Sequence, residues 1–134
     1  YNDASVRDWQ THTTQFTPGK NWPASGGFGP HMVSADAFGA LGPQRLQTLL
    51  NGEVLQDALI SDMLFSVPRL IAYLSTFTRL DPGDVIVSGT PGGVGMKREP
   101  QLFMKDGDVV EVRIDGIGSL INPVVDAPLL SSAS

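Results

Sequence analysis

Two glycine-containing dipeptides, Asn51-Gly52 and Asp115-Gly116, constrain the fold of this chain more than any other feature. Asn51-Gly52 lies between two apolar runs, at residues 46–50 and 54–56. Both central residues of a type I′ turn need positive φ, which Asn and Gly tolerate. An Asn-Gly pair between extended runs therefore predicts a β-hairpin.

A second hairpin is predicted towards the other end of the chain. Alternate residues from Val110 to Ile114 are apolar, which is typical of a strand with one buried face, so residues 109–114 are predicted to be a strand. Asp115-Gly116 then turns the chain back into residues 117–121.

One helix is predicted between the two hairpins. Ser66 is a plausible N-cap, and Pro68 lies in the first turn, where its missing N–H costs nothing. The helix should end before residues 81–84 (DPGD). Four apolar residues at helical spacing form one face, predicted to be core: Leu70, Ile71, Leu74 and Phe77.

Further short strands are expected at residues 31–34 and at 85–87, the second buried on both faces because all three of its residues are apolar. Residues 127–134 are predicted to be a flexible tail. The predicted fold class is mainly β with one principal helix, that is, α+β.

Composition restricts the function. Hydrophobic residues make up 41% of the chain and charged residues 17%, as in soluble globular proteins. The net charge of −5 argues against nucleic acid as a partner. No apolar run approaches the roughly 20 residues that span a bilayer, so no membrane partner is expected. The absence of cysteine fits a cytoplasmic protein.

A series of motifs runs in order from residue 2 to about residue 124. They are 2–10 (NDASVRDWQ), Gly19-Lys20, Gly29-Pro30, Asn51-Gly52 with Gln56, 61–63 (SDM), 70–75 (LIAYLS), 82–86 (PGDVI), 89–95 (GTPGGVG), 107–111 (GDVVE), 116–118 (GIG), and Leu120 with Asn122. Together they resemble the C-terminal portion of the catalytic domain of the fumarylacetoacetate hydrolase family.

The resemblance implies a mixed β-roll, here incomplete at its N-terminus, with residues 1–126 as the C-terminal portion of one catalytic domain. It also implies a homodimer, a Mg²⁺ or Mn²⁺ cofactor, and small-molecule substrates that are 2-oxo acids and 1,3-dicarbonyl compounds from aromatic degradation. Members hydrolyse C–C bonds, decarboxylate, isomerise or hydrate.

Asp3 is the expected metal ligand. Hard divalent cations prefer carboxylate oxygens, although an Asn-Asp pair also commonly starts a turn. In the family, the Asp at this motif position binds the metal, together with two carboxylates of a Glu-x-Glu segment upstream. The chain contains no Glu-x-Glu. The remaining ligands are therefore expected from an N-terminal segment outside these residues.

Lys20 is the expected catalytic residue and also a substrate-binding residue. An ammonium beside an enolate stabilises the developing negative charge, although most lysines after Pro-Gly are solvated loop residues. Many family members follow this Lys with Ser-Phe-Asp or Ser-Phe-Gly, whereas this chain has 21–23 (NWP). Substrate preference is therefore not carried over beyond Lys20.

Gln10 and Thr90 are the expected substrate-positioning residues, because an amide and a hydroxyl both hydrogen-bond to carbonyl or carboxylate oxygens. The matching family positions face the substrate; a surface Gln and a turn Thr are the alternatives. The glycines around Thr90 would let the backbone approach a ligand closely. The spacing in residues 89–93 fits neither nucleotide-binding glycine motif.

Three other polar residues are assigned no chemistry. Arg7 is expected to bridge a carboxylate elsewhere in the fold. His12 has no acidic neighbour to orient it as a base, and His31 follows a proline at the start of a predicted strand.

The predicted function is a divalent-metal-dependent hydrolase that cleaves a C–C bond in acylpyruvates or related 1,3-dicarbonyl 2-oxo acids. Three alternatives stay open: a decarboxylase, isomerase or hydratase of a related enol acid; a non-catalytic fragment or subunit that needs a missing N-terminal part; and a small-molecule binder that has lost its metal.

Overall fold

A four-stranded antiparallel sheet, built from the two predicted hairpins, organises the fold. The computed structural model describes residues 1–126, so the predicted tail at 127–134 lies outside the described residues. The strand order is β2-β1-β3-β4, which places the two hairpins side by side. The strands are β1 (Arg45–Leu50), β2 (Glu53–Leu59), β3 (Val109–Ile114) and β4 (Gly118–Pro123).

Both hairpin predictions are confirmed, and the first turn has the predicted backbone. Asn51 and Gly52 have φ of 52° and 85°, as a type I′ turn requires. Along the same hairpin Thr48 pairs with Gln56 but Leu49 pairs with Val54. The residue between them, Leu55, is therefore a β-bulge.

The two faces of the sheet differ in character. Val110 and Val112 are buried on one face of β3, where Leu46 and Leu50 of β1 lie beside them. Leu49, the other well-buried apolar residue of the sheet, pairs with Glu111 and so lies on the second face. Ion pairs and a side-chain hydrogen bond line this second face: Arg45 with Asp57, Gln47 with Asp57, and Arg113 with Glu111. The apolar face is the one that carries the site described below.

The helices are short and lie outside the sheet. They are α1 (Arg7–Gln10), α2 (Thr17–Lys20), α3 (Ala35–Phe38) and α4 (Val67–Leu74), with 3₁₀ turns at Ile60–Asp62 and Gly95–Lys97. None of the helices within residues 1–126 has the length and apolar character that a bilayer crossing requires.

Helix α4 is the predicted principal helix, and it begins as predicted but ends earlier than the predicted apolar face. Ser66 holds the N-cap position without a side-chain cap bond, and Phe77 lies beyond the last helical residue. The apolar face is also not core, because Ile71 is 43% exposed and Phe77 is 66% exposed. Helical periodicity identifies residues that share a face but does not determine what covers that face.

The two additional strands were also predicted wrongly. Residues 31–34 are irregular and end at Ser34, which N-caps α3 by accepting a hydrogen bond from the Ala37 N–H. Residues 85–87 have no regular structure, and Val85 and Val87 are 57% and 50% exposed. An apolar run becomes a strand only beside a pairing partner, and within residues 1–126 the sheet supplies none for this run.

A buried carboxylate fastens the first hairpin to the start of β3. Asp108 is 4% exposed and accepts hydrogen bonds from the Asn51 side-chain amide at 2.9 Å and from the Lys105 backbone N–H at 2.9 Å. Asn51 in turn accepts a bond from the Val109 N–H at 2.8 Å. The bond from Asn51, followed by that from Lys105, lowers the pKa of Asp108 below its ordinary value of 3.8.

We expect Asp108 to contribute to acid unfolding. The pKa of Asp108 is lower in the folded state than in the unfolded state, so the ionised carboxylate stabilises the fold. This stabilisation is complete above the unfolded-state pKa of 3.8, and it is lost as the pH falls from there through the folded-state pKa. Asp108→Asn should lower stability at neutral pH and flatten the pH dependence below pH 3.8. Urea unfolding between acid and neutral pH measures this, with the α3 variant Asp36→Asn as the control. An unchanged slope for Asp108→Asn would count against the assignment.

Candidate active site

A cleft of about 900 Å³ lies against the apolar face of the sheet. The sheet contributes apolar side chains to its floor, among them Leu46, Val110 and Val112. All four residues predicted to carry chemistry line this one cleft: Asp3, Gln10, Lys20 and Thr90. Residues that are up to 87 positions apart in the sequence therefore meet at a single site.

Close packing of α1 against α2 forms one side of the cleft. The Val6 N–H donates to the Gly19 carbonyl at 2.9 Å. A Cβ at Gly19 would lie 2.7 Å from the Gln10 Cα, which is too close for any side chain. Glycine at this position therefore lets the two short helices touch and brings Lys20 to the cleft wall.

Asp3 and Lys20 form an ion pair in the cleft. Lys20 Nζ lies 2.8 Å from Asp3 Oδ2 and also donates to the Asp3 main-chain carbonyl at 3.2 Å. The side chains are 35% and 25% exposed for Asp3 and Lys20 respectively, so both are partly shielded and still reach the open cleft. Two oxygens of Asp3 thus hold the Lys20 ammonium in place.

Gln10 is the most buried polar residue of this group, at 6% exposure. Its side-chain oxygen accepts a hydrogen bond from Arg7 Nη1, since the two residues are three positions apart on α1. Within residues 1–126 Arg7 thus contacts an amide, and its predicted bridge to a carboxylate elsewhere in the fold stays a prediction. The buried Arg7 Nε has no hydrogen-bond partner within residues 1–126.

Arg7 is a cleft residue that the sequence analysis missed as a chemical group. Its spacing of three from Gln10 on a helix was the signal that could have found it, because residues with that spacing share a helix face. A guanidinium that lines the cleft places a permanent positive charge there, which favours an anionic ligand.

The loop that carries Thr90 is tied to strand β2. Gln56 Nε2 lies 3.0 Å from Thr90 Oγ1 and 2.9 Å from the Pro91 carbonyl oxygen. Gly93 has φ of 100°, and a Cβ there would lie 2.3 Å from the Leu55 carbonyl oxygen, so only glycine fits. From the sequence, Gln56 was identified only as part of a motif and had no predicted role.

The two histidines lie away from this chemistry, in agreement with the sequence analysis. His12 packs its ring on Trp9 at a centroid distance of 4.7 Å, and His31 bonds to the Ile117 carbonyl. Neither lines the cleft.

The described residues could supply one ligand of a metal site. Within residues 1–126 no three His, Asp or Glu side chains come together closely enough to hold a cation. Asp3 offers a hard carboxylate in the cleft, but its partner there is Lys20. The described part of the chain thus supplies a possible ligand and not a complete coordination sphere.

The sequence model of the fumarylacetoacetate hydrolase C-terminal family matches residues 1–125. The chain belongs to the fumarylacetoacetate hydrolase family. The expected family and fold class are thereby confirmed, since the mostly β architecture is shared with solved family structures.

Solved and curated family members agree with this placement. The fumarylacetoacetate hydrolase of Exiguobacterium antarcticum superposes with a TM-score of 0.88 at 38% identity, covering 93% of this chain and 45% of that one. The mitochondrial oxaloacetate tautomerase fahd2 of Xenopus laevis is 39% identical over 126 residues, covering 92% of this chain and 40% of that protein.

A third member carries ligands. The maleylpyruvate hydrolase of Sphingobium sp. SYK-6, in complex with manganese(II) and pyruvate, is 33% identical with a TM-score of 0.65, covering 72% of this chain and 34% of that one. The chain spans about two fifths of the length of the curated relatives it matches. These relatives are family enzymes of more than one reaction type, which supports an enzyme without fixing hydrolysis.

Proposed function

We propose that the full-length protein containing this chain is an enzyme that forms and stabilises the enolate of a small 2-oxo acid, with keto–enol tautomerisation of oxaloacetate as its leading reaction. The observation that carries the proposal is the Lys20 ammonium, held 2.8 Å from Asp3 in a cleft shared with Gln10 and Thr90. A cation fixed at that point offsets the negative charge that develops on an enolate oxygen.

The cations in the cleft suit a dianionic substrate. Arg7 and Lys20 both line it, and their positive charges favour the carboxylates of such a substrate. Gln10 and Thr90 add neutral hydrogen-bonding groups that orient the 2-oxo group. Arg7 thus joins the three substrate-binding residues expected from the sequence, Gln10, Lys20 and Thr90.

Lys20 is the group we propose to act on the reacting oxygen. Its contacts with the Asp3 carboxylate and main-chain carbonyl hold Nζ in place, so that a remaining N–H of the ammonium faces the cleft. Hydrogen-bond donation from Nζ to the substrate oxygen stabilises the enolate that both tautomerisation and C–C cleavage pass through.

We propose that Asp3 also supplies one ligand to Mg²⁺ or Mn²⁺, with the other ligands coming from outside residues 1–126. Asp3 Oδ2 pairs with Lys20, which leaves Oδ1 to face a cation. The manganese(II) complex of the Sphingobium relative supports a divalent metal. A bound divalent cation supplies Lewis acidity towards the oxygens of a 2-oxo acid. A homodimer and a cytoplasmic location complete the proposal.

The preference for tautomerisation rests on the relatives. Oxaloacetate tautomerases from Xenopus laevis and from Bacillus subtilis match 92% of this chain at 39% and 38% identity. Tautomerisation needs enolate stabilisation and proton transfer but no activated water, and the described cleft residues supply groups for the enolate stabilisation.

Hydrolysis of an acylpyruvate is the second candidate. The observation in its favour is the pyruvate bound in the Sphingobium maleylpyruvate hydrolase, because pyruvate is the part of an acylpyruvate released when water cleaves the acyl bond. This reaction needs the same enolate stabilisation and in addition an activated water.

Turnover by the full-length protein with Mg²⁺ or Mn²⁺ separates the candidates. Loss of enol absorbance from oxaloacetate, with no new carboxylic acid products, supports the tautomerase. Release of pyruvate from acetylpyruvate or maleylpyruvate supports the hydrolase. A protein that is inactive on all three substrates with both metals would contradict the proposed function and favour a binding or structural role.

A further inference from the structure

Gln56 links strand β2 to the loop that carries Thr90, and its amide orientation follows from its partners. The atom assigned as Nε2 lies 2.9 Å from the Pro91 carbonyl oxygen, which is able only to accept a hydrogen bond. The side-chain atom facing Pro91 must therefore be the amide nitrogen. The carbonyl neighbour thus determines an orientation that the positions of the heavy atoms alone leave ambiguous.

This orientation determines which group is the donor in the hydrogen bond between Gln56 and Thr90. The same Nε2 lies 3.0 Å from Thr90 Oγ1, and an amide nitrogen acts only as a donor. Thr90 Oγ1 is therefore the acceptor in this contact, and its own proton is directed elsewhere. Thr90 is exposed and lines the cleft, so that proton is available to a ligand there.

We propose that Gln56 is a positioning residue that fixes the Thr90 hydroxyl as a hydrogen-bond donor towards an oxygen of the substrate. The inference deepens the proposed function and rests on it. A donor at this position favours a carboxylate or enolate oxygen over an N–H or O–H group of a ligand. Gln56 thereby favours the carboxylate and enolate oxygens of a 2-oxo acid through the Thr90 hydroxyl.

The surrounding backbone supports a fixed geometry for this pair. The bulge at Leu55 precedes Gln56, and the Leu55 carbonyl accepts a hydrogen bond from Arg98 Nη1 at 3.1 Å. Arg98 also donates to the Gly93 carbonyl at 3.5 Å. Strand β2 and the Thr90 loop are thus joined at several points, of which Gln56 is the one that reaches the Thr90 side chain.

A double-mutant cycle tests the inference on the full-length protein, with Gln56→Met, Thr90→Val and their combination. Met keeps the length of Gln without its donor, and Val keeps the shape of Thr without its hydroxyl. The readouts are kcat and KM for oxaloacetate tautomerisation and the Kd of pyruvate in the presence of Mn²⁺. Gln56→Glu is the second variant if Gln56→Met does not fold, because a carboxylate would accept from Thr90 and reverse the bond.

Gln47→Met is the matched control. Gln47 lies on neighbouring β1, and its amide donates to Asp57 at 3.0 Å on the opposite face of the sheet. The Gln47→Met variant therefore loses a side-chain hydrogen bond on the face away from the cleft. Its kcat/KM and pyruvate Kd should match the wild type, whatever its effect on the unfolding temperature.

We expect Gln56→Met to lower kcat/KM and to weaken pyruvate binding by about 3- to 10-fold, the range of one hydrogen bond. In the Thr90→Val background the same change should have a much smaller effect, limited to loss of the bond to the Pro91 carbonyl, because the hydroxyl through which Gln56 acts is gone. Additive losses, or a Gln56 effect equal to that of Gln47→Met, would overturn the inference alone. A protein that neither converts oxaloacetate nor binds pyruvate would overturn the proposed function, and this inference with it.

Discussion

Lys20→Met should lower kcat for the enolate-forming reaction by about 10²- to 10³-fold, the loss seen when one donor to a developing oxyanion is removed. Methionine retains the length and apolar stem of lysine but removes the ammonium that lies 2.8 Å from Asp3. The same change should leave Mn²⁺ binding intact or tighten it, because Asp3 is released from its ion pair. Steady-state kinetics and isothermal titration with Mn²⁺ measure both effects.

Lys97→Met is the control for this variant. Lys97 is an exposed lysine of the Gly95–Lys97 turn and does not line the cleft. Its kinetics should match the wild type. If Lys20→Met retained wild-type kcat, the ammonium would have no part in the reaction and would serve only as the ion-pair partner of Asp3.

Asp3→Asn is expected to weaken metal binding, whereas Lys20→Met is expected to leave it intact. The amide is isosteric with the carboxylate but is neutral and a poorer ligand for a hard cation. We expect Mn²⁺ affinity to fall by at least about tenfold and turnover to fall with it, on the order of the 10- to 100-fold losses seen even for residues that only support metal ligands. Excess Mn²⁺ should restore part of the activity, as it would not for Lys20→Met.

Asp36→Asn is the matched control, since Asp36 lies in the first turn of α3 and not in the cleft. Unchanged Mn²⁺ affinity in Asp3→Asn would show that the carboxylate serves only as the partner of Lys20. The two variants together therefore separate a metal ligand from an ion-pair partner.

The elements that the sequence predicted well are those specified by short-range chemistry. Asn51-Gly52 forces a turn because few other residue pairs accept positive φ at both positions, and the strands on either side follow from it. Pro68 likewise marks the beginning of α4, where its ring and missing N–H are tolerated.

The elements predicted wrongly depend on what lies beside them. The apolar residues at 85–87 would form a strand only with a pairing partner, and the α4 face would be core only under a covering element. Periodicity and composition describe a segment and not its neighbours. The burial of residues 85–87 and of the α4 face was therefore inferred without knowing which elements pack against them.

The candidate site shows the same division. Motif residues such as Asp3 and Lys20 were identified from residue type and family resemblance, and the structure brings them into contact. Arg7 and Gln56 were given no chemical role because their significance lies in what they touch: Arg7 meets Gln10 across a helix turn, and Gln56 meets Thr90 across 34 positions of sequence.

Solvent exchange of the pyruvate methyl protons tests the central claim most directly, because exchange in D₂O requires formation of the enolate whether or not the enzyme goes on to cleave a bond. Proton NMR would follow the methyl signal with full-length protein and diamagnetic Mg²⁺. Exchange by the wild type that is lost in Lys20→Met and retained in Lys97→Met is the result we predict. Equal exchange in the presence and absence of the wild-type protein would contradict the enolate-forming site.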